Sequence, residues 1–474
     1  MSDRKEKLSS LCSACVRCGS CLPNCPTYAV TKREWAVARG RIAIISQGDT
    51  FPRRGAANHL AACLMCGSCT RGCPNGVDTP EIVRLARAGL PKGAGGFFRG
   101  LAMRIFLPSW RRMSAALSAG KLVLPAWAKR LPRSSGLLLR LARPKKGPRR
   151  FLPEPRRPFM HERKDIPAGW DGHGLLKVAL FPGCASNFIY PDQSLAIMRL
   201  LDGRTPAGPK GPVSLPGLPA RVAVPRGINC CGLMSLGAGR PRLARKLARR
   251  NVRALLPEGG TWPDVITTPC ASCAYTLKLL YPDLLSGDSK YSERAQALAE
   301  RVVPFSLLWA QFSHQLENDR ENSTHERSTG QLVTGGDYEK GAEKGASRLD
   351  TETAASRITW HMPCHLKDLL PDQGIAERLL SSLPEATFQP AKADTCCGGG
   401  GLFSITHPEL SLRIGRNRLE GLPTLQNCYV ITECSGCSMQ LQWLLGESGD
   451  AARVLGFAEA VLRFGEKNRS EAQD

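Results

Sequence analysis

A multidomain fold, in which a small helical module precedes two copies of an α/β domain, is predicted by three observations. The first 90 residues hold one cysteine run twice, Cys15-Val-Arg-Cys18-Gly-Ser-Cys21-Leu-Pro-Asn-Cys25-Pro26 and Cys63-Leu-Met-Cys66-Gly-Ser-Cys69-Thr-Arg-Gly-Cys73-Pro74. Residues 175–313 and 357–464 then repeat one order of marks: a strand ending in cysteine, a Cys-Cys-Gly, and a second strand ending in C-x2-C. A chain of 474 residues has room for two to four domains and for real cores, so its 20 cysteines are not needed as staples.

Composition narrows the classes. Met1 to Ser10 is charged and has no apolar signal core, which argues against a secreted disulfide scaffold. The cysteines then belong to a reducing compartment, as metal ligands or redox thiols. No uncharged apolar run reaches the length of about 18 residues that a membrane span needs. The expectation is a cytoplasmic protein, peripheral at most on the inner face of a membrane. The formal net charge is +24. Residues 91–170 carry 19 Lys/Arg against 3 Asp/Glu, so two thirds of the excess sits in one sixth of the chain. Such a segment suits anionic lipid, an acidic subunit or nucleic acid. Nucleic acid is not expected, because no binding motif is present and few aromatics interleave the charge.

In chain order, residues 1–90 form the first unit. Both runs read C-x2-C-x2-C-x3-C-P. Three thiolates at short spacing wrap one corner of a cube of iron and sulfur. The run resembles those that hold [4Fe–4S] clusters in bacterial two-cluster ferredoxins, where the fourth thiolate turns to the other cube. That resemblance implies Cys15, Cys18, Cys21 and Cys73 for one cluster, and Cys63, Cys66, Cys69 and Cys25 for the other. One run alone also fits zinc; two in tandem, each with its proline, favour clusters. Lys32 to Ser46 reads as helix, with Trp35, Val37, Ile42, Ile44 and Ile45 among basic residues. Glu81 to Ala88 reads as another, started by Asp78-Thr79-Pro80. Cys12 is an extra thiol, read as buried.

Residues 91–174 form a basic connector. Short apolar patches at Leu101–Leu107, Leu122–Leu124 and Leu137–Leu141 are broken by Arg, Lys and Pro, as in successive amphipathic helices. Docking to an anionic membrane or an acidic subunit and a merely solvated connector both fit.

Residues 175–313 form the first α/β domain. Leu176–Phe181 is a strand leading to Pro182-Gly183-Cys184, and Ser194–Leu201 a helix. Arg221–Pro225 is a strand before Cys230-Cys231-Gly232, and Arg242–Leu256 a helix. Asp264–Thr268 is a strand ending at Cys270-Ala-Ser-Cys273. Residues 314–356 are polar and of low complexity, a disordered linker by composition. Residues 357–464 repeat the domain: Ile358–Trp360 before Cys364, then Cys396-Cys397-Gly398, a helix over Pro408–Leu419, and Tyr429–Thr432 ending at Cys434-Ser-Gly-Cys437. Ligands of open α/β sheets bind at such strand ends.

These sets account for all but Cys12 and Cys428, the latter read as core. Cys184, Cys230, Cys231, Cys270 and Cys273 form one set, and Cys364, Cys396, Cys397, Cys434 and Cys437 the other. Adjacent cysteines are awkward for one tetrahedral zinc, since their side chains diverge, and suit a centre of several irons. Zinc, redox dithiols or sites without metal stay open. Gly399-Gly400-Gly401 follows cysteines rather than opening a dinucleotide fold, so no flavin or nicotinamide site is expected.

On Cys25-Pro-Thr-Tyr28, Ala38-Arg-Gly-Arg41, Val178–Cys184 and Cys396-Cys-Gly398, the chain resembles the iron–sulfur subunit family of glycolate oxidase. Lactate-utilisation, anaerobic glycerol-3-phosphate dehydrogenase and heterodisulfide reductase subunits are its relatives. The resemblance implies two [4Fe–4S] clusters in a ferredoxin-like domain, two CCG domains each able to hold a further cluster, and an FAD-containing 2-hydroxy-acid dehydrogenase partner. Electrons taken from that partner would pass singly to a quinone or another carrier. Both C-x2-C pairs are complete, which resembles heterodisulfide reductase and keeps disulfide reduction open. His361 and His365 would then assist proton transfer, or be plain structural histidines. A scaffold with clusters only in residues 1–90 is the third reading.

Overall fold

The computed structural model describes residues 2–47, 53–90, 94–123, 128–129, 139–141, 151–152, 155–170, 175–202, 220–313, 356–423, 428–448 and 452–465. Residues 203–219 and residues 314–355 of the polar linker lie outside the described residues.

The N-terminal module is helical. Ser2–Ser13, Pro26–Thr31, Ala38–Ser46, Arg53–Ala61 and Thr79–Gly89 surround two short cysteine loops. Asp78 caps the last of these helices, its carboxylate accepting from the Glu81 N–H at 3.0 Å. The helix expected over Lys32–Ser46 is broken. Lys32 is left-handed (φ 54°), Arg33 is extended, a 3-10 turn covers Glu34–Ala36, and Val37 is extended again. Gly40 explains the break: a Cβ on it would lie 2.0 Å from the Glu34 carbonyl oxygen, so the following helix crosses directly over that turn.

Two helices, Ala94–Phe106 and Trp110–Val123, open the basic connector. Three short antiparallel strands follow: β1 (Ala128–Lys129), β2 (Leu139–Leu141) and β3 (Phe151–Leu152). The first helix turns Met103 inward, where it and Leu107 join Leu243, Leu247 and Cys230 in one apolar cluster. No helix among the described residues is long and apolar enough to cross a membrane.

The two α/β units share one topology. In the first, β4 (Leu176–Leu180) lies between β5 (Ala220–Ala223) and β6 (Val265–Thr267), all parallel. In the second, β7 (Ser356–Trp360) lies between β8 (Ala386–Phe388) and β9 (Cys428–Thr432), and β10 (Arg453–Gly456) extends the sheet beyond β9. The first sheet keeps a remnant of that fourth strand in a single parallel bridge, Ile266 to Val302. The sheets are not separate bodies. One apolar core runs through both, and the helix Pro191–Leu201 packs on the helix Phe457–Phe464. Buried polar contacts stitch the seam: Ser186 to Ser435 at 2.8 Å, Gln193 to Ser438 at 3.2 Å, and the Tyr190 hydroxyl to Gln442 at 2.7 Å.

Candidate metal centres

The two N-terminal loops have the same backbone. Arg17 and Met65, each just before the middle cysteine, sit at φ 58° and 57°, and Gly19 and Gly67 just after it at 94° and 75°. This alternation curls each loop so that its three thiols share one concave side. Cys15, Cys18, Cys21 and Cys73 converge on one pocket, which Cys69 also borders. Cys25 lies between the two loops, its sulfur acting on both Cys69 and Cys21: burial pushes the Cys69 thiol up to about 12, and the sulfurs of Cys66, Cys63 and Cys25 push it further the same way. Thiols held protonated by burial fit sites whose thiolates are neutralised by metal cations. Backbone donors also aim at sulfur, as with the Met65 N–H on Cys63 Sγ at 3.4 Å. Both loops therefore fit a cubane cluster.

Two buried arginines hold these loops. Arg41 donates to the Ala62 carbonyl at 3.0 Å and to the Thr27 hydroxyl at 3.1 Å, and Thr27 in turn touches Cys25 Sγ at 3.1 Å. Arg87 donates to the carbonyls of Leu60 (2.6 Å) and Cys63 (2.7 Å), and to Gly237 (3.0 Å) in the first α/β unit. Arg41 was visible only as part of an Ala-Arg-Gly-Arg string; nothing in the sequence marked Arg87.

The ten downstream cysteines gather as two sets, each at the carboxyl ends of its strands. In the first set hydrogen bonds link Cys184 to Cys230, Cys230 to Cys231, Cys231 to Cys273 and Cys273 to Cys270. In the second, Cys364 meets Cys396, Cys396 meets Cys397, Cys397 lies 3.6 Å from Cys437, and Cys437 meets Cys434. The second cysteine of each adjacent pair behaves alike. Cys231 is held well below the usual thiol range by donation from Cys230 and Cys273, and Cys397 by donation from Cys396 and Cys437. Close approach is built in on both sides. A Cβ on Gly183 would stand 2.8 Å from Cys273 Sγ, and Gly398 (φ 80°) donates its N–H to Cys396 Sγ at 3.4 Å. Five converging cysteines per set, all buried except the half-buried Cys184, Cys364 and Cys396, fit a metal centre.

The sets also touch one another. The Cys66 and Cys364 thiols share a hydrogen bond, so the second N-terminal loop meets the second α/β set. Leu64 packs against Phe403 and Ile414 beside that contact, and Arg71 pairs with Asp368 at 2.9 Å. Cys270 Sγ is 3.9 Å from Cys434 Sγ, which joins the two α/β sets head to head.

Both histidines lie in this junction, His361 buried and His365 half-buried. His365 Nδ1 meets the Ser272 hydroxyl at 2.9 Å, and its ring stacks on Tyr275 at 4.6 Å. Burial holds its pKa below the usual imidazole range. His361 lies with Cys397 and Cys437, their ligand atoms all within 4.8 Å of one another. Cys12 packs against Ile42, Val77 and Ile82, and Cys428 is buried at the start of β9, so neither joins a set.

Comparison with known proteins accords with this arrangement. Residues 11–77 match the family model described as 4Fe-4S dicluster domain, and residues 218–278 and 358–442 match the Cysteine-rich (CCG) domain. The probable glycolate oxidase iron–sulfur subunit of Bacillus subtilis is 26% identical over 462 residues, 93% of this chain and 90% of the relative. The glycolate oxidase iron–sulfur subunit of Escherichia coli is 25% identical over 449 residues, 92% of this chain and 91% of the relative. Lactate utilization protein A of Geobacillus thermodenitrificans is 24% identical over 287 residues, 60% of this chain and 98% of the relative.

Proposed function

Since the chain is a homologue of the glycolate oxidase and lactate-utilisation iron–sulfur subunits, we propose that it is the electron-transfer subunit of a flavin-dependent 2-hydroxy-acid dehydrogenase. A separate FAD-containing subunit oxidises the hydroxy acid, and this chain passes the electrons to a quinone or another carrier. The observation that carries the reading is the contiguity of four cysteine sets, through Cys69 at the edge of the first pocket, Cys66 with Cys364, and Cys270 with Cys434. An iron–sulfur cluster, when bound, takes up and releases one electron at a time. Cys15, Cys18, Cys21 and Cys73 hold one [4Fe–4S] cluster, and Cys63, Cys66, Cys69 and Cys25 the other. The remaining sets hold one further centre each. Residues of this chain do the rest: Arg41 and Arg87 fix the loops, and the apolar seam keeps water from the buried sulfurs.

The test is metal content with turnover. The chain isolated without air should carry about sixteen irons if all four sets hold clusters, against about eight if only the N-terminal module does. Alone it should not oxidise glycolate or lactate, and with its flavoprotein it should. Oxidation by the isolated chain would sink the relay.

The facing of Cys270 and Cys434 at 3.9 Å favours a second reading. A disulfide held between the two sets would take two electrons and two protons and leave as two thiols. Loss of disulfide reduction in both Cys231→Ser and Cys397→Ser is the outcome that reading requires; unchanged turnover in both removes it.

A further inference from the structure

The two α/β units are copies, yet their metal sites are lined differently, and the difference falls on aligned positions. His361 follows β7 immediately and stands three residues before Cys364; Phe181 follows β4 and stands three before Cys184. The backbone register is the same at both. The His361 N–H donates to the Ile431 carbonyl at 2.8 Å, and the Phe181 N–H to the Thr267 carbonyl at 2.8 Å. A second pair aligns on the helices that begin at Pro408 and Pro241. Ten residues past those prolines stand Arg418 in one and Asn251 in the other, both fully buried.

The first site is thus neutral around its sulfurs. Phe181 offers no donor atom, and Asn251 is used up on backbone and hydroxyl partners: the Cys230 carbonyl at 3.0 Å, the Tyr281 hydroxyl at 2.9 Å and the Asn229 N–H at 2.8 Å. In the second site Arg418 donates to the Trp360 carbonyl at 2.9 Å and to the Ala393 carbonyl. His361 is 0% exposed; among the described residues its ring meets no nitrogen or oxygen partner and shares a hydrogen bond with the Cys397 sulfur. A fully buried imidazole whose remaining nitrogen is unsatisfied costs free energy unless something occupies it. What lies beside it is sulfur: Cys397 Sγ and Cys437 Sγ, themselves 3.6 Å apart, close enough for two ligands of one metal ion. An imidazole nitrogen within 4.8 Å of both sulfurs completes three ligands converging on one point.

We propose that His361 supplies a nitrogen ligand to the metal centre of the second CCG set, beside Cys397 and Cys437, while the centre of the first set is bound by sulfur alone. The second set keeps all five thiols, so the imidazole adds a neutral donor and leaves the charge of the ligand set unchanged. The buried guanidinium of Arg418 interacts with the Cys397, Cys437 and Cys396 sulfurs, and a fixed cation favours the reduced form of a redox-active centre. Its counterpart Asn251 is neutral, so the second centre is the one of higher potential. This inference rests on the second set holding metal.

The test uses the whole chain with its metal, labelled with 15N-histidine. If the centre is iron, pulsed EPR of the reduced protein should show a directly bound nitrogen. If it is zinc, X-ray absorption at the zinc edge should show imidazole scattering. His361→Phe copies the first unit's own residue and should fold; it should lose the nitrogen signal and keep the N-terminal clusters. His361→Cys should keep the metal without nitrogen. A nitrogen signal unchanged in His361→Phe overturns the proposal, as does an all-sulfur wild-type centre. Metal confined to residues 1–90 overturns both this inference and the four-centre reading, whereas an all-sulfur second centre overturns this inference alone.

Discussion

At the residue scale, the cysteines are only half of the N-terminal sites. Each loop is a strained curl, with a non-glycine residue at positive φ in Arg17 and Met65. Something must hold it, and buried arginines do. Arg87 satisfies the Leu60, Ala61 and Cys63 carbonyls together. Arg87→Met leaves those acceptors without their donor, and the expected cost is about 3 kcal/mol or more of stability. Denaturant unfolding of the metal-loaded protein checks it, together with slower recovery of the second cluster after reconstitution. A loss under about 1 kcal/mol would mean that water replaces the guanidinium without penalty. Gly40 works by absence: an alanine there meets the Glu34 carbonyl, so Gly40→Ala should unseat the helix that carries Arg39 and Arg41. The chain thus reads as Ala-Arg-Gly-Arg because one small residue lets two long ones reach their carbonyls.

At the scale of elements, the seam between the α/β units is made by helices, and it carries a titratable group. Glu459 opens the helix Phe457–Phe464 and accepts from the Gly456 N–H at 2.6 Å. Burial against the helix Pro191–Leu201 pushes its carboxyl up from 4.5 to about 7, with the Gly456 N–H opposing and Asp192 adding to the rise. The folded chain thus binds more protons than the unfolded chain between those two values. Its stability is greatest below pH 4.5 for this group and declines as pH rises through 7, by about 3 kcal/mol in all. Glu459→Gln keeps an acceptor for the cap and removes the charge. Its unfolding free energy should be flatter by about one proton between pH 5 and 7. An unchanged slope would place the titration elsewhere. The internal repeat explains why the seam forms at all. Each unit presents one helix face to its twin, and the C-x2-C turn of one donates to the other, from the Ala271 N–H to the Glu433 carbonyl at 2.7 Å.

At the scale of the whole molecule, charge and apolar surface meet on one side. The helix Ala94–Phe106 buries Met103 and leaves Phe97 and Phe98 61% and 67% exposed, with Leu101 and Ile105 on the same stripe. Arg112, Lys246, Arg249, Arg250 and Arg253 line a groove on the neighbouring helices. No acidic residue occurs between 91 and 123. We propose that this apolar ridge beside a basic groove docks on an anionic lipid surface, the ridge entering the headgroup region and each cation not already paired, as Arg249 is with Asp288, adding about 1 kcal/mol. Flotation with vesicles checks this proposal. Binding is expected with anionic vesicles and not with neutral ones, weaker in high salt, and weaker by about tenfold or more in Phe97→Ser/Phe98→Ser. Absence of binding to anionic vesicles would sink the lipid reading, and binding untouched by that variant would show that the ridge does not enter the headgroup region. Met103 and Leu107 pack against Cys230 beneath this ridge, which makes the first CCG set the one nearest the proposed membrane face.

By itself the sequence determined the cysteine sets and the internal repeat, because both are local: spacing along the chain fixes which thiols one loop presents, and alternation of strand and helix fixes a parallel sheet. It also carried the limits of five of the seven strands described in the two units to within a residue or two, as with Leu176–Leu180 and Cys428–Thr432, and it missed Ala386–Phe388 and Arg453–Gly456. It misread Lys32–Ser46, where a close backbone crossing at Gly40 overrode helical pattern. Only the tertiary structure decided how the sets meet. Cys66 and Cys364 are 298 residues apart and Cys270 and Cys434 are 164 apart, and no periodicity spans such gaps. The same holds for His361, Arg418 and Arg87. Their roles come from what is folded over them, a buried imidazole or guanidinium taking its meaning from the sulfurs and carbonyls that other elements bring to it.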